Sequence, residues 1–221
     1  MPRGDSSARR GARRDTSAND DKADRDAAKP ASVDKANAAA PLASRIDHLD
    51  PIQLFTLLPI RVYQHIAEIG AGHGYLTVPL AKYAYDGKVY AVDTQQNVLD
   101  SVLQTAAKSR LSNVSAILMK DGKVPLPDEC LDGVVLSPVL HESKQPVELL
   151  REIGRLLKAD GWIIAIEWIK GASNGGLSAE ERIARPDAVK FAQEAGLRVL
   201  NQRDLNSYFY FLVLKKTAPK K

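Results

Sequence analysis

Gln64-His-Ile-Ala-Glu-Ile-Gly-Ala-Gly-His-Gly-Tyr-Leu-Thr77 decides how the rest of this chain is read. A short apolar run ends at Glu68, a turn carries Gly70, Gly72 and Gly74, and an apolar helical pattern follows. Glycines at alternate positions let the backbone turn tightly and let a ligand approach the main chain without meeting a Cβ. The helix that follows presents unpaired N–H groups to the same place. The stretch reads as a nucleotide-type cofactor site between a first strand and a first helix.

Working outward, the totals fit one globular core of a 221-residue chain: 44% of residues are hydrophobic and the net charge is +4. No run approaches the roughly 18 apolar residues of a membrane span, and the N-terminus has no secretory apolar region. The single cysteine, Cys130, excludes an intrachain disulfide and a multi-cysteine metal site, and fits a reducing cytoplasm. Residues 1–40 are rich in Arg, Lys, Asp, Ala and Ser, which predicts a disordered charged tail. Arg9, Arg10, Arg13 and Arg14 would suit a nucleic-acid arm, but interleaved aspartates and the lack of any aromatic favour a solvated tail. An export or organelle-targeting role for it stays open. Residues 41–216 form the expected folded domain, and residues 217–221 a short basic tail.

Within that domain Asp50-Pro51 predicts a helix start, with Asp50 as cap and Pro51 at the first position, and Pro59 closes the segment. Strands are expected at Ile66–Ile69, Lys88–Val92, Val114–Leu118, Leu131–Leu136 and Trp162–Ile166, the last after an Ala159–Gly161 turn. Helices are expected at Tyr75–Tyr83, Gln95–Lys108 and Pro146–Leu157. A glycine-rich loop spans 171–176, and Ser178–Glu181 has capping-box spacing, opening a helical region broken near Pro186 and running to Ala195. Leu197–Leu200 and Tyr208–Leu214 read as an antiparallel hairpin. Alternating strands and helices mean a parallel α/β sheet covered on both faces, with ligands beyond the carboxyl ends of the strands.

The unusual residues fall at those ends. Strand one ends in Glu68 and the glycine turn; strand two ends in Asp93, placed to accept both hydroxyls of a ribose. Strand three leads to Asp121-Gly122, where a carboxylate and a backbone N–H could meet an adenine edge. Strand four ends in Ser137-Pro-Val-Leu-His-Glu142, and strand five in Glu167-Trp168. A dinucleotide fingerprint needs its third glycine at position 75, which is Tyr75 here. Asp132 and Cys130 read as structural, and Trp162 and Trp168 as packing residues.

Glu68-Ile-Gly-Ala-Gly-His-Gly-Tyr-Leu-Thr77, Lys88-Val-Tyr-Ala-Val-Asp93, Leu126-Pro-Asp-Glu-Cys-Leu-Asp132 and Leu156-Leu-Lys-Ala-Asp-Gly161 together resemble class I S-adenosylmethionine-dependent methyltransferases, of the small bacterial type 11 kind. The likeness covers roughly 45–214. It implies a Rossmann-like, doubly wound seven-stranded sheet in the order 3-2-1-4-5-7-6, with strand seven antiparallel. It also implies S-adenosylmethionine as cofactor. Gly70, Gly72 and Gly74 would wrap its amino-acid end, Glu68 would hold the loop or the ammonium, Asp93 the ribose, and Asp121 with Gly122 the adenine. Ala71, Thr94 and Ser137 stand beside them. Two positions depart from the usual pattern: His73 replaces a common Thr, and Leu131 a common aromatic.

The reaction so implied is in-line methyl transfer to an acceptor, with a small molecule favoured over nucleic acid because little chain remains for a substrate cap. His141, whose ordinary pKa lies near neutrality, is the candidate general base, with Glu142 or Glu167 as substitutes. A loop-start hydrogen bond is an equal reading of His141 and Glu142. A nicotinamide-dependent oxidoreductase shares the fold, but Tyr75 and the lack of a Tyr-x-x-x-Lys set oppose it. A non-catalytic member binding the cofactor or RNA is the third reading.

Overall fold

The computed structural model describes residues 48–58, 60–171 and 177–217. The expectations placed on the 1–40 tail, on Pro59, on most of the 171–176 loop and on 218–221 lie outside them.

Helix α1, Pro51–Thr56, starts as its sequence dictates: Pro51 needs no partner for a missing N–H, and Asp50 Oδ1 accepts the Ile52 N–H at 2.9 Å. Strand β1, His65–Ile69, then leads through the glycine turn into α2, Thr77–Tyr83. Strand β2 is Lys88–Asp93, α3 is Gln96–Lys108, and β3 is Val114–Leu118. Strand β4, Leu131–Leu136, is followed by one 3₁₀ turn, Leu140–Glu142, and by α4, Pro146–Leu156. Strand β5 runs Leu157–Trp168, α5 Arg185–Glu194, β6 Leu197–Asp204 and β7 Phe209–Lys216.

The seven strands form one sheet in the order β3-β2-β1-β4-β5-β7-β6. Strands β1 to β5 pair parallel, and β7 pairs antiparallel with both β5 and β6. Side-chain alternation assigns each strand to two cores. On β5, Trp162, Ile164, Ile166 and Trp168 join Leu54, Leu76 and Leu80 on one face; Ile163 and Ala165 join Leu150, Ile153 and Ala192 on the other. The sheet is therefore covered on both sides, as parallel strands buried on two faces require.

Three local readings are corrected. Ala159–Gly161 is not a turn before β5; it lies inside the strand as an irregularity, because register moves from Leu131↔Leu157 to Gly133↔Trp162. Lys158 in that irregularity reaches across to Asp132 at 2.8 Å. Pro186 does not break a helix but sits in the first turn of α5, where a missing N–H costs nothing. The Ser178 N–H does donate to Glu181 Oε2 at 3.0 Å, half of a capping box, yet no helix begins there. The last hairpin is also longer than expected, because β6 continues past a register shift at Val199/Asn201 to Asp204.

Candidate functional site

Beyond the carboxyl ends of β1, β2, β3 and β4 lies a cavity of about 670 Å³. The glycine turn forms one wall. Gly70, Gly72 and Gly74 all have positive φ (+80°, +51° and +85°), a region costly for residues with a Cβ. At Gly70 the need is also steric, since a Cβ there would stand 2.3 Å from Val139 Cγ1. Gly70, Ala71 and Gly72 line the cavity. Gly74 is not among the lining residues; it packs toward Val102 of α3 as the chain enters α2.

The turn's backbone donors are used internally. Gly70 and Ala71 N–H both donate to Val92 O, at 2.9 and 3.1 Å, and Gly74 N–H to Ala71 O at 2.9 Å. Gly72 N–H donates to Asp93 Oδ2 at 3.1 Å, while Asp93 Oδ1 accepts the Gln95 N–H at 3.0 Å. Asp93 thus clamps the turn to the end of β2, and with Thr94 it lines the cavity.

Glu68 is buried and its carboxylate receives a short hydrogen bond from the hydroxyl of Thr77, itself fully buried at the start of α2. Burial pushes its pKa up to about 8 and the charge of Asp93 adds to the rise, against the opposing Thr77 bond. Thr77 is a partner the sequence did not announce. A threonine nine residues after a strand-end acid, in an otherwise apolar helix start, was the available signal.

Opposite the turn, Asp121 and Gly122 have φ of +50° and +71°, closed by paired bonds between Lys120 and Lys123 at 3.1 and 2.8 Å. Asp-Gly is the preferred pair for such a two-residue reversal. Both residues line the cavity, as does Ser137 at the end of β4. Apolar wall comes from Val98, Met119 and Leu149, none of them singled out from sequence. Leu149 shares the buried face of α4 with Leu150 and Ile153, and nothing in the sequence sets it apart from them.

His141 and Glu142 separate. Glu142 lines the cavity; His141 is not among the lining residues, and its side chain is only 3% exposed. Glu167 holds it: His141 N–H donates to Oε1 at 3.1 Å, and Nδ1 lies 2.9 Å from Oε2. The Trp168 N–H also donates to Oε2, at 3.3 Å. Among the described residues His141 Nε2 has no hydrogen-bond partner, and it stands 3.8 Å from Glu142 Oε1. The loop-start hydrogen bond foreseen for this pair therefore exists, made by the His141 backbone to Glu167.

Comparison with known proteins bears on the fold and the domain. Residues 67–165 match a family model described as a methyltransferase domain. A solved S-adenosylmethionine-dependent methyltransferase from Aquifex aeolicus superposes with a TM-score of 0.75 at 25% identity, covering 79% of this chain and 93% of that one. Residues 67–165 are therefore a methyltransferase domain. An uncharacterized methyltransferase of Schizosaccharomyces pombe is 30% identical over 119 residues, 51% of this chain and 43% of that protein. The chain spans less than half the length of the curated relatives it matches. NcsB1, an O-methyltransferase from neocarzinostatin biosynthesis solved with S-adenosyl-L-homocysteine and 1,4-dihydroxy-2-naphthoic acid, shares the fold with a TM-score of 0.68 at 21% identity, covering 80% of this chain and 56% of NcsB1. No helix among the described residues is long and apolar enough to cross a membrane.

Proposed function

We propose that the chain binds S-adenosylmethionine in this cavity and transfers its methyl group to a small-molecule acceptor. The observation that carries this reading is the pair of acids, Glu68 and Asp93, beside a glycine turn whose Gly70, Ala71, Gly72 and Gly74 N–H groups are already bonded. A dinucleotide presents a diphosphate to such a turn and needs those N–H groups free. Here the Gly72 N–H is already held by Asp93 and is not free for a diphosphate oxygen. A cationic ligand meets two acids instead, which fits an amino-acid ammonium and a sulfonium.

The donor set fits the rest of that cofactor. Asp93 faces the cavity as an acceptor for ribose hydroxyls, Asp121 and Gly122 for an adenine edge, and Val98, Met119 and Leu149 supply apolar surface for its ring. When bound, S-adenosylmethionine supplies a methyl group already activated by its sulfonium. The chain's task is then to hold an acceptor atom in line and keep water away. Ser137 and Val139 stand at the end of β4 beside the turn, where that approach takes place.

For an acceptor that carries a proton, Glu142 is the acid–base group at the cavity wall. His141 backs it, with Nδ1 toward Glu167 and Nε2 toward Glu142, so a proton taken at Glu142 can pass inward to a ring held by a buried carboxylate. A small-molecule acceptor is supported by the modest cavity and by the likeness to NcsB1, solved with 1,4-dihydroxy-2-naphthoic acid. Equilibrium dialysis with labelled S-adenosylmethionine and with NADH tests the cofactor. Retention of the first alone is expected, and retention of NADH alone would reverse the reading. His141→Ala is expected to lower turnover at least tenfold while cofactor binding is kept; full turnover in that variant would remove His141 from the proton path.

A further inference from the structure

The segment between β3 and β4 has one isolated bridge, Lys120 to Lys123. Its backbone is tied at the two ends, Met119 N–H to Asp93 O at 2.9 Å and Glu129 N–H to Arg155 O at 3.0 Å; between them side chains hold it to the rest of the fold. Two of those side chains come from α4 and do not line the cavity. Glu152, 2% exposed, accepts the Val124 N–H at 3.0 Å and the Lys123 ammonium at 3.1 Å. It also accepts Arg155 Nη2 at 2.7 Å and Nε at 3.2 Å. Arg155 in turn donates to Val124 O and Leu126 O, both at 3.0 Å, and pairs with Asp128. One carboxylate and one guanidinium therefore grip both backbone groups of Val124, the carbonyl of Leu126 and the side chain of Lys123. Burial alone would raise the pKa of Glu152, but its ring of donors brings it down to about 2, so it is an anion at any assay pH.

That grip ends one residue after Gly122. Asp121 sits at φ +50°, the left-handed conformation an Asp-Gly reversal uses, which sets the shape of the turn but not its place. Gly122 has nothing within 4 Å of where a Cβ would stand, so the turn itself projects into open space and gets its position from the gripped side.

We propose that Glu152 and Arg155 are positioning residues that set the cavity's selectivity for an adenine ring, by holding the Asp121–Gly122 turn where its carboxylate meets the exocyclic amine. The proposal rests on the S-adenosylmethionine reading and adds to it the residues that fix base choice from outside the cavity.

Binding of S-adenosylhomocysteine is compared by calorimetry with binding of S-inosylhomocysteine, in which a carbonyl replaces the amine. A charged hydrogen bond to that amine predicts that the parent chain prefers the adenine compound by about tenfold or more. Glu152→Gln and Arg155→Lys should each bring the ratio to within about threefold, with kcat at saturating cofactor near that of the parent. Because the ratio compares two ligands in one preparation, any unfolded fraction cancels, and either variant alone suffices. A ratio unchanged in a folded variant overturns the proposal, as does a parent chain that binds both compounds equally. Equal loss of both affinities would also overturn it, showing general loosening rather than base selection. A parent chain that binds neither compound overturns the cofactor reading, and the proposal with it.

Discussion

Asp93 accepts the Gly72 N–H at 3.1 Å, so the acid at the end of β2 and the middle glycine after β1 are one structural unit. The same carboxylate holds the Gln95 N–H at 3.0 Å, one residue before α3 starts. Hydrogen bonds to a charged acceptor contribute about 1.5–3 kcal/mol each. Asp93→Ala should therefore lower both stability and cofactor affinity, the latter by about 100-fold. Asp93→Asn, which keeps one acceptor oxygen, should recover part of the stability and little of the affinity. Thermal melts and calorimetry on the two variants separate these effects.

Glu68 gives a pH-dependent prediction. Its pKa is raised from an ordinary 4.5 to about 8 in the folded chain, chiefly by burial. The folded state therefore holds this proton more tightly than the unfolded state does. The stability it contributes is fully present below about pH 4.5 and is lost as pH rises through 8. Glu68→Gln should remove that decline, so its melting temperature falls less than the parent's between pH 5 and 8. A nearby ligand ammonium favours the carboxylate, so cofactor binding at pH 7 should release up to about one proton. Calorimetry in buffers of different ionisation enthalpy reads that number.

Gly133 of β4 faces Trp162 of β5, and a Cβ at Gly133 would lie 2.3 Å from the indole ring. Forcing a methyl group into that contact should cost about 1–3 kcal/mol. Gly133→Ala is expected to lower the unfolding free energy obtained from urea titration by that amount, and pairing it with Trp162→Leu should recover part of the loss.

Asp132 accepts the His65 N–H and the Lys158 ammonium, both at 2.8 Å, at the end of the sheet opposite the cavity. Burial works to raise its pKa, but the bonds from Lys158 and His65 outweigh it and the value is lowered. Its contribution to stability is therefore present above the ordinary aspartate range and lost as pH falls through the lowered value. Asp132→Asn should destabilise the chain by about 1–2 kcal/mol and leave cofactor affinity unchanged, as denaturation and binding titrations will show.

The parallel strands could be read from sequence because runs such as Ile66–Ile69 and Val114–Leu118 have one structural use, a buried strand between turns. The cavity-lining acids could be read because strand ends converge in this topology, so Glu68, Asp93 and Asp121 were placed by strand order alone. What could not be read depends on contacts between distant elements. Lys158 pairing with Asp132 keeps Ala159–Gly161 within β5, although Asp-Gly favours a turn locally. Pro186 opens α5 rather than breaking it, because the preceding Ser178–Ala184 segment never becomes helical. His141 looked like a cavity residue from its position after β4. Its burial follows from Glu167 on the neighbouring strand, a pairing that sequence spacing does not show.

The central claim is that two acids beside a self-bonded glycine turn select a cationic cofactor over a diphosphate. Titrating the chain with S-adenosylhomocysteine, with NADH, and with S-adenosylmethionine tests it directly. Micromolar binding of the two sulfur compounds, weakened about 100-fold in Asp93→Ala, with no measurable NADH binding, is the result the account predicts. Measurable NADH binding, with no binding of either sulfur compound, would contradict it.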